Sequence, residues 1–303
     1  MKFFDYLKNI FLVLIFIQFV PILFESIKKQ YGKYLSPQTQ VAVIGIKGVL
    51  YNSAHYNKYL TKYFKDKDIK AILLKIESPG GAAGTSAAIY SEIMQLKKEY
   101  PKPILTLVEN VCASGGYYIA SATDHIIAPG SAIIGSIGAA FPSIFQLKSF
   151  IEKYDVQAKS LKAGDYKSTG NPLVDMTPQE TALLQGVLDD SYAQFTQDVA
   201  HARTVLSLEK HKEWADGKIF TARQAHSLKL IDELGSAYNA VSYLKKAAKI
   251  EGDIEWIKPP VKSPLASLFG ESETDEDSSM FTSFVDACCT KVEERLFSPK
   301  IQA

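Results

Sequence analysis

The chain has 303 residues, 47% of them hydrophobic and 22% charged, with a formal net charge of +1. Those proportions belong to a globular protein and exclude disorder along the whole chain. With no net field, and no basic run interleaved with aromatics, nothing points to nucleic acid as a partner.

Residues 10–24 read IFLVLIFIQFVPILF, apolar except for Gln18 and Pro21. Lys2 and Lys8 precede the run, and Lys28, Lys29 and Lys33 follow it. The run is shorter than the roughly 20 residues of a full membrane span and matches a signal-peptide hydrophobic region. No small-x-small cleavage site follows it, so an uncleaved signal anchor is expected ahead of a removed signal peptide. The segment is apolar on every face, unlike a buried soluble helix with one apolar stripe. Lysines flank both ends, and charge alone slightly favours leaving the bulk of the chain in the cytoplasm.

Residues 25–40 form a polar linker, and QVAVIGIKGVL (40–50) is a β-branched first strand. Residues 56–64 have helical spacing. AILLKI (71–76) is a buried strand halted by Ser78-Pro79-Gly80-Gly81. Residues 85–96 read as a helix, 103–108 as a strand, and 114–122 as a helix. Two short apolar pieces follow at 125–128 and 132–134, then a strand-like stretch at 156–161. Strand, turn and helix recurring about every 30 residues predict a mainly parallel α/β sheet. From Thr177 the pattern turns helical, with a capping box in Thr177-Pro178-Gln179-Glu180 and a long helix to about Arg203. Shorter helices are expected at 221–228 and 236–248. Residues 259–279 are rich in Pro, Ser and acids, so a linker, and 281–297 have amphipathic helical spacing. The organisation expected is therefore an anchor and linker over 1–35, a catalytic domain over 36–250 and a tail over 251–303.

Cys112, Cys288 and Cys289 are odd in number, and two are adjacent, so they make no disulfide framework. No Cys-x-x-Cys or His-x-x-x-His spacing supports zinc. No metal and no cofactor is expected.

The chemistry concentrates in CASGGYYIA, residues 112–120. Ser114 stands where a strand ends and a helix begins, beside two glycines. Amides at a helix start favour negative charge, and Gly115 lets a carbonyl approach the main chain closely. Such a serine equally suits a plain helix cap. ESPGG (77–81) adds a second stretch of exposed amides, the natural complement of an oxyanion. None of His55, His125, His201, His211 or His226 lies in a triad context. A lysine is the other route to a base, provided that its surroundings are dry enough to keep it uncharged. Lys167 lies in the punctuated loop KAGDYKSTGNP (162–172), but spacing alone does not single it out.

VAVIGIKGVL, ESPGG, CASGGYYIA, GSIGAA (135–140), KAGDYKSTGNP and ADGKIFTARQAHSLKLIDELG (215–235) occur in this order. The set resembles the signal peptide peptidase A / SohB family over about residues 40–250. The resemblance implies a crotonase-like, Clp-like spiral of β-β-α units, with added C-terminal helices and an N-terminal membrane-anchor helix. It implies a serine endopeptidase with a Ser–Lys dyad, acting on cleaved signal peptides or membrane-protein fragments. Matched motif by motif, Ser114 is the nucleophile, Lys167 the base and Ser136 the serine orienting the lysine. Gly81 and Gly115 match the oxyanion donors. It further implies a homo-oligomer in which serine and lysine can come from neighbouring subunits. The implied location is a single-pass anchor in a bacterial inner membrane, with the catalytic domain on the extracytoplasmic side. Glu77 stands where the family often has Asn, and Cys112 where a small or apolar residue is usual. A crotonase-type acyl-CoA enzyme and a catalytically silent scaffold are the competing readings.

Overall fold

The computed structural model describes residues 38–260. The anchor expected at 10–24 and the amphipathic helix expected at 281–297 lie outside the described residues. Among the described residues, no helix is long and apolar enough to cross a membrane.

Three long parallel strands form the centre: β1 (Gln38–Leu50), β2 (Ile69–Gly81) and β3 (Ile104–Ala113). Along β1, Ala42, Ile44 and Ile46 pack into one core while Val41 and Val43 pack into another. A strand apolar on both faces must lie between two layers. The larger layer contains α1 (Ala54–Lys65), α2 (Ala83–Glu99) and α3 (Gly115–Ser121). It also includes residues of the long helix α5 (Pro178–Ala202), which follows the short α4 (Lys148–Glu152).

The sheet forks at β3. Its first half, Leu105–Leu107, pairs with β4 (His125–Ala128), and its end, Val111–Ala113, pairs with β5 (Ile133–Gly135). After the short α6 (His211–Trp214), β6 (Ile219–Thr221) runs antiparallel to β5. Next come α7 (Ala222–Ser227) and β7 (Glu233–Leu234), which is parallel to β4. Helix α8 (Ala237–Ala247) covers the second face through Ala240 and Leu244. Strand β8 (Asp253–Ile257), in a stretch read from sequence as tail, pairs with the start of β1.

The capping box at Thr177 forms as expected: Glu180 N–H donates to Thr177 Oγ1 at 3.1 Å, and Thr177 N–H to Glu180 Oε2 at 2.8 Å. Two sequence expectations need correction. The strand read as ending before Ser78 continues to Gly81, because β1 keeps pairing with it through Val49–Gly80 and Leu50–Gly81. Glycine makes this approach feasible, since a Cβ on Gly81 would lie 2.2 Å from Leu50 O. Residues 156–161 are not a strand; Leu161 is 87% exposed, and among the described residues the segment packs on no core.

Candidate active site

β3 ends by delivering Ser114, whose N–H donates to Gly135 O at 2.7 Å. Ser114 has φ 50° and ψ −124°. That conformation is costly for any residue with a Cβ, on the order of 1–3 kcal/mol, and such residues cluster at functional sites. Its carbonyl accepts from Tyr118 N at 2.9 Å and so opens α3. Its side chain makes no cap bond. Among the described residues the hydroxyl has no hydrogen-bond partner, which removes the plain-cap reading.

The platform beneath it is rigid. All of α3 is buried, and Tyr117 OH donates to Leu230 O at 2.7 Å. Tyr118 stacks on Phe195 with ring centroids 4.3 Å apart and donates to the Asp198 carboxylate. Aromatic rings with satisfied hydroxyls hold a turn of helix in one place.

The ESPGG segment lies directly against this serine. A Cβ on Gly80 (φ +104°) would stand 2.7 Å from Ser114 Cβ and 2.8 Å from Gly115 N. A Cβ on Gly115 would stand 3.4 Å from Gly81 N and 2.1 Å from the Oγ of buried Ser86. Gly80 N–H is taken by Ser78 Oγ at 3.1 Å, and Ala82 N–H by Leu50 O at 2.7 Å. Between these two occupied amides lies that of Gly81, on the side of Gly115. The structure thus brings together Ser114, Gly81 and Gly115 from two separate segments.

Ser136 also has a positive φ, 51°, and follows the Gly135 whose carbonyl holds Ser114. Its N–H donates to Lys218 O at 2.6 Å, and Gly217 N–H donates to Ile137 O at 3.0 Å. Sequence reading assigned no separate role to Ala215-Asp216-Gly217-Lys218. The structure shows this segment clamping the Ser136 strand through backbone alone, an interaction without a side-chain signature.

Lys167 lies in a run of turns, with its N–H on Gly164 O at 3.2 Å. The loop is tied to the start of α5, where Thr169 Oγ1 donates to Glu180 Oε1 at 3.3 Å. Lys167 is exposed. Among the described residues, no hydrogen bond joins it to Ser114 or Ser136 within one chain. Histidines contact other groups: His125 stacks on Tyr243 at 4.1 Å, and His55 meets Tyr59 at 5.0 Å.

The carboxylate at Glu77 is occupied. Asn110 Nδ2 donates to it at 2.7 Å, and Lys47 Nζ lies 3.9 Å away. Glu109 beside it ionises below the usual carboxylate range, chiefly because Lys75 donates to it at 2.5 Å. The Cys112 thiol is fully buried, and burial pushes its pKa well up, so it is a packing group there.

Residues 96–251 match the family model described as Peptidase family S49. A Synechocystis protein named "Putative protease slr0021" is 38% identical over 192 residues, 63% of this chain and 68% of that protein. An Enterococcus faecium protein named "Putative signal peptide peptidase SppA" is 34% identical over 66% of this chain and 57% of its own length. "Serine protease SPPA, chloroplastic" of Arabidopsis thaliana is 32% identical over 61% of this chain and 27% of its own. The matched stretches thus cover from about two thirds down to about a quarter of these relatives.

Proposed function

The chain belongs to peptidase family S49, the SppA/SohB type of serine peptidase, and on that basis we propose that Ser114 and Lys167 form its catalytic dyad. The observation that carries this reading is Ser114 itself. Among the described residues its hydroxyl is uncommitted, its backbone is held in a conformation suited to glycine, and the Gly81 and Gly115 amides lie beside it.

In the mechanism, uncharged Lys167, oriented by Ser136, accepts the Ser114 proton as Oγ attacks a peptide carbonyl. The carbonyl π electrons move onto oxygen, which the Gly81 and Gly115 N–H groups stabilise. The tetrahedral intermediate collapses, and Lys167 returns the proton to the leaving amine. Water, deprotonated by the same lysine, then hydrolyses the ester. The residues that do this supply every proton transfer required.

An uncharged amine needs dry surroundings, and Lys167 is exposed in the single chain. The same segment exposes Phe145, Phe150, Tyr154 and Leu161. Several large apolar side chains exposed in one stretch, with Phe150 and Tyr154 in ring contact, favour association. Both observations support a homo-oligomer in which a neighbouring copy covers the lysine. The forked sheet, with β3 shared by β4 and β5, supports the crotonase-like spiral. The apolar run at 10–24 supports anchorage to a membrane, and the family resemblance adds a bacterial inner membrane with the catalytic domain outside the cytoplasm. Peptides released in or near that membrane, such as cleaved signal peptides, are the substrate class.

Mass spectrometry after exposure to a fluorophosphonate tests the site. The adduct is expected on Ser114 and absent from Ser114→Ala. An adduct on another serine, or near-normal peptidase activity in Lys167→Ala, would overturn the dyad.

A further inference from the structure

We infer that Ser78 is a positioning residue for the oxyanion site, its hydroxyl setting the orientation of the Gly80–Gly81 peptide. The inference rests on the reading of Ser114 as nucleophile and Gly81 as donor. Ser78 is 0% exposed, and its Oγ both donates to Gly48 O at 2.7 Å and accepts from Gly80 N–H at 3.1 Å.

The need for this bridge follows from the ladder. Pairing of β1 with β2 shifts register between Lys47 and Val49, and pairing of β2 with β3 shifts between Ile76 and Ser78. Gly48 (φ +67°) marks the bulge on β1, and Pro79 has no N–H to offer. The ladder breaks at the bulge and resumes at Val49–Gly80, and across the break the serine hydroxyl joins the two strands. Holding Gly80 N–H fixes the Pro79–Gly80 peptide, from which Gly80, at φ +104°, carries the chain to the peptide whose N–H is that of Gly81.

Ser78 also touches the other half of the site. A Cβ on Gly116 would stand 2.9 Å from Ser78 O and 3.3 Å from Ser78 Cβ. The start of α3 therefore rests on the residue whose hydroxyl holds the facing strand. The separation of the Gly81 and Gly115 amides is set across Ser78, and oxyanion donors act only when held at the right separation.

The test measures Ser78→Ala with a fluorogenic peptide, per active site titrated with a fluorophosphonate. We expect kcat per site to fall about 10- to 100-fold with KM within about twofold. A peptide aldehyde, whose adduct carries the oxyanion, should lose affinity by the same factor as kcat. A purely structural role would lower the titratable fraction and leave per-site kcat alone. Per-site kcat within about threefold of the unmodified protein, or a loss confined to KM, would overturn the inference. If Ser78→Ala does not fold, Ser78→Cys keeps the branching of the side chain with a slightly larger, weaker donor, and unaltered per-site kcat there overturns it equally. Labelling of Ser114 with undiminished turnover in the variant rejects Ser78 alone. Labelling elsewhere in the unmodified protein rejects the dyad, and this inference with it.

Discussion

Gly80 lies against Ser114 so closely that a single added carbon on it would stand 3.0 Å from the serine Oγ. Two segments more than thirty residues apart thus meet with no room between them. Gly80→Ala has two penalties, a φ of +104° that disfavours any Cβ and a direct overlap with Ser114, the proposed nucleophile. Turnover is expected to fall at least about 100-fold, the scale of losing an oxyanion donor. Peptidase assay alongside thermal melting checks this, and activity within a few-fold of normal would contradict the packing.

Subunit exchange tests where Lys167 works. Ser114→Ala and Lys167→Ala should each be inactive yet folded. Co-assembled from the two variants, a ring with shared sites would regain activity at about a quarter of its junctions. A mixture as inactive as its parts would place both groups in one subunit.

The Arg203–Asp232 pair ties the end of α5 to the chain just before β7. Arg203 is 7% exposed, donates to Asp232 through both terminal nitrogens and holds Lys229 O, while Asp232 also accepts from Ile126 N. Asp232→Ala leaves a buried guanidinium unpaired, a loss of about 3–5 kcal/mol by denaturant unfolding. Replacing both partners by apolar residues should cost less than the single change. A loss under about 1 kcal/mol in Asp232→Ala would show that water already reaches the arginine.

Glu109 predicts part of the acid limb of stability. Its folded-state pKa lies below the unfolded value because Lys75 donates to it. Its contribution is therefore complete above the unfolded carboxyl value, about 4.3, and is lost as pH falls through the lower folded value. Unfolding free energy of Glu109→Gln should vary less with pH in that window, with the two proteins converging at the acid end. Parallel curves for both would exclude the linkage.

Much of the site is legible in the residues. Ser-Gly-Gly after one strand and Pro-Gly-Gly after another are local signals, because a backbone that must approach closely has to lack side chains. The capping box at Thr177 is legible for the same reason, since its bonds span three residues. The continuation of β2 through Gly81 is not, because it depends on β1 continuing to pair alongside. Nor are the Lys218 and Gly135 carbonyls that hold Ser136 and Ser114, since every residue type carries one.

The sequence by itself determined the α/β rhythm, the family and which serine and glycines are the candidates for the site. Only the tertiary structure decided that the Ser114 side chain makes no capping bond, that Ser78 bridges the bulge, and that Lys167 faces outward in a single chain. The division has one physical cause. Periodicity and glycine placement act between near neighbours, whereas a free hydroxyl, a matched pair of amides or a dry lysine exists only where distant segments pack together.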